Sequence, residues 1–90
     1  MSASAFLRRI RDLAADSGRV FITMHARQRM VQREHTDENV RGALLKGTID
    51  EGPFFNAKGN WQATIYRRYA DQEIKVVAVL DDGVIVITVI

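Results

Sequence analysis

The 90-residue sequence predicts an α+β domain in which N-terminal helices pack on a C-terminal antiparallel β-meander. Apolar residues recur at helical spacing in the first half, whereas the second half has apolar runs of strand length separated by short polar turns. Runs of helices followed by runs of strands are typical of the α+β class. A chain of this length holds one hydrophobic core, so residues 1–90 are expected to form a single domain.

Three helices are predicted, each from an apolar stripe and from a polar residue that starts it. The first is amphipathic through Phe6, Ile10 and Leu13, and the second carries Ala26 and Met30 on its apolar side. The predicted bounds are residues 3–15 after Ser2 or Ser4, residues 24–33 after Thr23, and a third helix that Thr36 opens and Gly47 ends as its C′ residue.

Strands are predicted from apolar runs that Gly, Pro, Asn or Asp interrupt. Gly52 and Pro53 are expected to stop a short strand at residues 48–50, and Asp82-Gly83 is a tight hairpin signal. The predicted strands are residues 20–22, 48–50, 61–69, 74–80 and 84–90.

Residues 76–80 and 84–87 are apolar at nearly every position, whereas a half-exposed antiparallel strand alternates. Both faces of this hairpin are therefore expected to be covered, one of them by the second and third helices. The first helix, a second copy of the chain or a partner protein are three candidates for the other cover.

The composition excludes several function classes. The sequence contains no Cys, which rules out disulfide scaffolds, thiolate zinc sites and cysteine nucleophiles. No apolar run has the length of a membrane span, and the N-terminus lacks the apolar core of a signal peptide. A cytoplasmic protein without membrane association is expected.

Charge is distributed unevenly along the chain. Residues 1–35 hold seven arginines and three acidic residues, a net charge of +4, whereas the remainder holds six basic and eight acidic residues, a net charge of −2. Arginine makes bidentate contacts with phosphate, so an Arg-rich half is typical of a protein with an anionic partner. A solvated helix face explains the same pattern, and composition alone leaves both interpretations open.

The second helix holds the residues on which the first interpretation depends. His25, Arg29 and Arg33 stand at i, i+4 and i+8, on one stripe at the edge of the core. The positive end of the helix dipole favours a neutral imidazole at His25, and helix-start N–H groups bind phosphate. A base beside cations is what phosphodiester cleavage requires. Alternatively, His25 caps the helix and the arginines pair with acidic residues.

Other candidates lie on the sheet. Strand parity places Arg67 and Tyr69 on one face and Tyr66 and Arg68 on the other, and either pair suits base stacking with phosphate contact. Each also fits an aromatic core residue beside a solvated arginine. Lys75 and Thr88 are polar exceptions within apolar strands, which indicates a ligand or a sheet edge. His25 and His35 lack a third ligand at metal-binding spacing, so no metal is expected.

These residues resemble a bacterial domain family of unknown function. Residues 23–33 fit a T-x-H-A-x-x-R-M-x-x-R signature, and the resemblance extends from about Phe21 to the C-terminus. That family is often grouped with the RelE/ParE-like, colicin-type ribonuclease fold. On this basis residues 20–90 form the RelE-like core and residues 1–18 an additional helix. The sequence departs from the family at His35, where an apolar residue after a glycine is usual.

The resemblance implies a toxin of a bacterial toxin–antitoxin pair, and many members of the wider fold group cleave RNA without metal. The implied site is His25, Arg29 and Arg33 on the helix with Thr88 on the closing strand. Fold alone does not determine the reaction.

Two functional hypotheses follow. The first is a metal-independent endoribonuclease without cofactors, with RNA as substrate and with an antitoxin or a second copy bound through the sheet. In this hypothesis His25 acts as base or acid, and Arg29 and Arg33 bind phosphate. Thr88 has a positioning role in the site. The residues expected to bind nucleic acid are Arg27, Tyr66, Arg67, Arg68 and Lys75. The alternative is a non-catalytic module that binds nucleic acid or protein, which the low net charge of +2 favours.

Overall fold

The computed structural model describes residues 1–90 and contains three α-helices and one five-stranded sheet. The helices are α1 (Ala3–Ala14), α2 (Met24–Arg33) and α3 (Asp37–Lys46). The strands are β1 (Val20–Ile22), β2 (Thr48–Phe55), β3 (Trp61–Tyr69), β4 (Gln72–Leu80) and β5 (Val84–Val89). A 3-10 turn, Ser17–Arg19, joins α1 to β1. The predicted α+β class is confirmed, and no helix has the length and hydropathy to cross a membrane.

Hydroxyl side chains start all three helices. Ser2 and Thr23 each accept a hydrogen bond from the third N–H of their helix, at 3.1 Å. Thr36 and Asn39 form a reciprocal capping box, with N–O distances of 3.2 and 2.9 Å. The caps predicted at Thr23 and Thr36 are therefore confirmed, and Ser2 is the cap of α1. Each such cap stabilises its helix by about 1 kcal/mol.

Gly47 ends α3, but its role differs from the prediction. A C′ glycine adopts a left-handed conformation, whereas Gly47 has φ −76° and ψ 174° and is extended. An added Cβ would lie 2.5 Å from the Ala43 carbonyl oxygen and 2.5 Å from Cγ2 of Ile65. Close packing of α3 against β3 thus requires glycine at this position.

The sheet has the strand order β1-β5-β4-β3-β2 and is mixed. Neighbours from β2 to β5 are antiparallel, as predicted for a meander. The predicted meander did not include β1, which pairs parallel with β5 through Val20 with Val84 and Ile22 with Val86. Strands β1 and β5 run in the same direction although they are distant in sequence. Their pairing makes β1 the edge strand of the sheet on this side.

The prediction that β2 stops before Gly52 and Pro53 is wrong. The strand continues to Phe55, with register irregularities on both sides of Glu51. Pro53 lies in the irregular stretch of this edge strand, between the pairs of Glu51 with Thr64 and Phe54 with Gln62, and it has no register partner in β3. Proline interrupts a central strand but is tolerated at such an edge.

One face of the sheet carries the hydrophobic core. Phe6 and Ile10 of α1, Leu44 of α3, and Ile65 and Val76 of the sheet are fully buried in one cluster of 17 residues. Helices α1 and α3 pack against each other and lie on this same face. The interpretation that α1 covers the opposite face is therefore wrong, because its apolar stripe joins the core that α3 already covers.

Arginine side chains attach α1 to its neighbours. Arg11 donates to the Gly47 carbonyl at 3.1 Å, and Arg41 donates to the carbonyls of Ala14 and Ala15 at 3.2 and 3.0 Å. The carbonyl groups that end α1 thus receive partners from α3. Part of the positive charge of the N-terminal half therefore has a structural role.

Candidate functional site

The opposite face of the sheet is free of helices, and we call it the helix-free face. One residue from each strand forms a row across it: Phe21, Ile85, Val79, Gln62 and Phe54. Phe21 and Phe54, at the two ends of the row, are 60% and 50% exposed. The predicted second cover of this hairpin is thus absent from the chain's own helices.

A bulge in β5 places Thr88 on the helix-free face. Val84 and Val86 point into the core, so strict alternation would place Thr88 there as well. The register instead shifts between Val77 paired with Thr88 and Ala78 paired with Val86, which leaves one extra residue, Ile87. The extra residue turns Thr88 outward, as bulges beside functional sites commonly do.

The first turn of α2 is attached to β5. The Thr23 N–H donates to the Val86 carbonyl at 3.1 Å, and its hydroxyl lies 3.1 Å from the same oxygen and 3.3 Å from the Ile87 carbonyl. This attachment brings His25 to Thr88, with 3.1 Å between Nε2 and Oγ1. The imidazole has no other hydrogen-bond partner in the protein, and the His25 side chain is exposed. Two sequence-predicted site residues are thus in contact.

The two arginines of the predicted stripe follow β5 toward its end. Arg29 donates from Nε to the Val89 carbonyl at 3.2 Å and from Nη1 to Gln32 Oε1 at 3.3 Å. Three of its five N–H groups remain without a partner. Arg33 is exposed, has no hydrogen bond, and lines a surface depression with His35. All three residues of the predicted stripe lie in α2, and Arg29 contacts β5 whereas Arg33 lies at the end of the helix.

The sheet residues expected to bind nucleic acid divide between the two faces. Tyr66 and Lys75 are paired across β3 and β4 on the helix-free face, one step of about 7 Å along the strand from Val77. The Lys75 ammonium lies 3.3 Å from Asp50 Oδ2, so part of its charge is neutralised. Arg68 shares this face and stands opposite Glu73.

Arg27 and Arg67 lie away from this face. Arg27 forms an ion pair with Asp37 at 3.2 Å, where α2 meets α3. The guanidinium of Arg67 occupies the space beside Gly42 of α3 and lies 5.4 Å from the centre of the Tyr69 ring. Neither side chain joins the site around His25 and Thr88.

His35 belongs to a separate cluster at the end of α2. Its Nδ1 lies 3.3 Å from the Tyr69 hydroxyl, which donates to Gln72 Oε1 at 3.1 Å. Partial burial, and secondly the charge of Arg33, lower the pKa of His35 below its usual 6.5. His35 is thus expected to be neutral near pH 7, and it does not contact His25. No group of three or more His, Asp or Glu side chains is arranged to hold a metal ion.

The structure has a groove near His25 and Thr88 that was not predicted from the sequence. It has a volume of about 510 Å³ and lies between Thr23 and the loop at residues 56–60. Its floor is apolar and its rim carries the amides of Asn56, Asn60 and Gln62. The sequence marked residues 58–60 only as a turn. The signal available was the concentration of amide side chains around that turn.

The site therefore combines an imidazole held by a hydroxyl, a partly free guanidinium on the same helix, and an adjoining groove with an amide rim. Such a set can accept and donate a proton and can hold an anion beside a flat apolar surface.

Comparison with known proteins identifies the family. Residues 22–90 match the model of a domain of unknown function, DUF4258. Searches of curated proteins and of solved structures each gave no match. The matched part includes the whole site and the whole sheet except the first residues of β1, and it leaves α1 outside. Because the match covers most of the sequence, the chain belongs to the DUF4258 family.

Proposed function

We propose that this chain is a toxin-like, metal-independent endoribonuclease with a RelE/ParE-like fold. The observation that carries the proposal is the 3.1 Å contact between His25 Nε2 and Thr88 Oγ1, next in sequence to Val89, whose carbonyl accepts a hydrogen bond from Arg29 Nε. A base and a cation on one edge of an open sheet face are the groups that phosphodiester cleavage requires. Helices on one sheet face and an antiparallel run from β2 to β5 support the grouping of the fold.

The reaction proposed is attack by a ribose 2′-hydroxyl on its own 3′-phosphate. With Nε2–H donating to Thr88, the lone pair of Nδ1 is available to take the 2′-hydroxyl proton. The O2′–P bond forms as the P–O5′ bond breaks. The departing 5′-oxygen then receives, through water, the proton that His25 took, which leaves a 2′,3′-cyclic phosphate, a 5′-hydroxyl and a neutral imidazole. Thr88 is a positioning residue in this scheme, since it holds the imidazole by the nitrogen that does not react.

The arginines would bind the phosphate. The Val89 carbonyl holds Arg29 by its Nε, which leaves three N–H groups of the guanidinium for a phosphate. Arg33 is exposed and unpaired, so it can contact the next phosphate along the strand. Positive charge placed where negative charge develops on phosphorus lowers the barrier of such a step.

The toxin hypothesis also includes a protein inhibitor. The helix-free face exposes Phe21 and Phe54, and apolar side chains of β4 and β5 lie between them. Exposed apolar surface of this kind is typical of protein interaction sites. We propose that a cognate antitoxin covers this face and so blocks the groove and His25 together.

One observation favours the alternative, a non-catalytic binding module. Ion pairs with Asp37 and Asp50 neutralise Arg27 and Lys75, two of the cations expected to contact RNA. A smaller free positive charge suits weak binding to a protein or nucleic acid better than tight RNA binding.

Cleavage of an end-labelled RNA by the purified chain tests the proposal. We expect cleavage in the presence of EDTA, with 2′,3′-cyclic phosphate and 5′-hydroxyl ends. His25→Ala should lower the rate by about 100-fold or more, the usual contribution of a general base. Arg29→Ala should lower it by a similar factor, because a cation proposed to bind the phosphate is lost.

Matched controls are available in the same chain. His35→Gln removes the other histidine and Arg9→Ala removes an exposed arginine of α1, so both should cleave at the wild-type rate. RNA binding without cleavage by the folded wild type would replace the nuclease proposal with the binding module. Equal cleavage by wild type and His25→Ala would exclude His25 as the base.

A further inference from the structure

The groove on the helix-free face has the size and position of a ligand site. Its volume of about 510 Å³ lies within the range of small-molecule sites, roughly 300–1,000 Å³. It begins at Thr23, two residues before His25, and its floor includes Ile87, the residue before Thr88. His25 and Thr88 do not line the groove themselves, but Thr88 lies in the row of Val77, one strand step of about 7 Å from the row of Val79 and Ile85.

The floor of the groove is aliphatic. Val79 and Ile85 are paired across β4 and β5, and Ile87 follows on the same strand. Aliphatic side chains from neighbouring strands give a surface on which a planar ring can lie. Nucleobases taken out of a stack are held between apolar side chains and are read at their edges by hydrogen bonds.

The rim presents amide groups whose orientation the structure determines. Asn56 Oδ1 accepts from the backbone N–H groups of Lys58 and Asn60, both at 3.0 Å. Its Nδ2 must then be the atom that donates to Gln62 Oε1, at 3.1 Å. Gln62 Nε2 is consequently left with two free N–H donors.

Asn60 is oriented in the same manner. Its Nδ2 donates to the Leu80 carbonyl at 3.1 Å, which leaves its Oδ1 as a free acceptor. The rim thus offers a donor at Gln62 and an acceptor at Asn60, the two functions that read the edge of a nucleobase.

The charges around the groove favour a base over a phosphate inside it. Lys58 lies on the rim at the loop, whereas Asp81 lies on the rim at the β4–β5 turn. A carboxylate disfavours a phosphate in the groove, and Lys58 offers a contact for a phosphate outside it. The phosphodiester would then extend toward α2, where His25 and Arg29 lie.

We infer that this groove binds the nucleobase of a nucleotide next to the cleaved phosphate, and that Gln62 determines base preference. The inference rests on the proposed function, because it assigns the groove to the same RNA substrate. It adds a subsite formed by Asn60 and Gln62 on the floor of Val79, Ile85 and Ile87.

Nuclear magnetic resonance of the full wild-type chain tests the inference without any variant. Each of the four nucleoside 5′-monophosphates is titrated into labelled protein, with inorganic phosphate as the second probe. We expect the monophosphates to shift the side-chain amides of Gln62 and Asn60 and the methyl groups of Ile85 and Ile87. The same shifts with phosphate alone, or shifts confined to other residues, would overturn the inference.

Substitution of Gln62 then tests its role. Gln62→Leu should weaken binding of the preferred monophosphate by about tenfold, the effect of one lost edge contact. Gln62→Glu replaces two donors by acceptors and should change the order of preference among the four bases. Gln28→Glu makes the same charge change on an exposed face of α2 and should leave affinity and order unaltered. An unaltered order in Gln62→Glu would refute the specificity role.

The outcomes separate this inference from the proposed function. If monophosphates bind in the groove but the chain cleaves no RNA, the subsite stands and the nuclease proposal fails. If the chain cleaves RNA while the groove shows no shifts, the nuclease proposal stands and the subsite fails.

Discussion

The two faces of the sheet share the same strands but have different surroundings. Along β4, Val76 and Ala78 point to the helices and are fully buried, while Val77 and Val79 point to the helix-free face and are 8% and 6% exposed. Residue type is therefore similar on both faces, although α1 and α3 cover only one. An apolar sequence thus indicates burial, but it does not reveal which element provides the cover.

Removal of a large side chain from the covered face should have the largest effect on stability. Phe6 of α1 is fully buried, so Phe6→Ala should lower the free energy of unfolding by about 3–5 kcal/mol. Urea unfolding followed by circular dichroism measures this change. Val31→Ala, at a residue that is 78% exposed, is the control and should cost less than about 0.5 kcal/mol. Equal effects would place α1 outside the core.

A matched pair on one strand compares the two faces directly. Val76→Ala leaves a cavity enclosed by the core and should cost about 2 kcal/mol. Val79→Ala opens toward the groove, where water can enter, and should cost about 1 kcal/mol. The same unfolding measurement applies to both variants. A larger loss for Val79→Ala would mean that the helix-free face contributes more to stability than the covered one.

The bulge that turns Thr88 outward leads to a prediction about a single contact, which has a smaller effect on stability. Thr88→Val removes the hydroxyl that contacts His25 and should change stability by less than about 1 kcal/mol. The nitrogen resonances of the His25 imidazole should shift, because Nε2 loses its partner. Thr64→Val alters a threonine on the same face without touching His25 and should leave these resonances in place. Unshifted resonances in Thr88→Val would exclude the positioning role.

A small pH effect is expected at the end of the covered face, where His35 meets Tyr69. Burial, followed by the charge of Arg33, lowers the folded-state pKa of His35 below its usual 6.5, so the unfolded chain binds the proton more readily. This stability contribution is complete above pH 6.5 and is lost as the pH falls below that value. Unfolding midpoints at pH 7.5 and 5.5 should therefore differ more for the wild type than for His35→Gln. Identical differences would contradict the lowered pKa.

Features of the fold that depend on residues close in sequence could be predicted, whereas features that depend on contacts between distant residues could not. Helix bounds and the caps at Thr23 and Thr36 follow from residues a few positions apart, and they were predicted correctly. The parallel pairing of β1 joins residues more than 60 positions apart, such as Val20 and Val84, and no local pattern contains it. The continuation of β2 through Pro53 depends on its place at the sheet edge, which also lies beyond local sequence.

The candidate site shows the same division. The stripe of His25, Arg29 and Arg33 follows from helical spacing, and it was predicted from the sequence. Thr88 was predicted as a site residue because it is polar in an otherwise apolar strand. Strict alternation along β5, however, predicts that its side chain faces the core. The groove between Thr23 and residues 56–60 joins parts of the chain that are distant in sequence, so its amide rim was not recognised.

The sequence by itself determined the α+β class and the three helices with their caps. It also determined that a basic helix in the first half precedes apolar strands in the second half. These features arise from backbone propensity and side-chain periodicity, which act over one or two turns. Only the tertiary structure decided that α1 joins the covered face, that the extra residue at Ile87 turns Thr88 toward His25, and that Arg27 and Arg67 lie elsewhere. These features depend on register and packing between distant segments, where one inserted residue reverses the direction of a side chain.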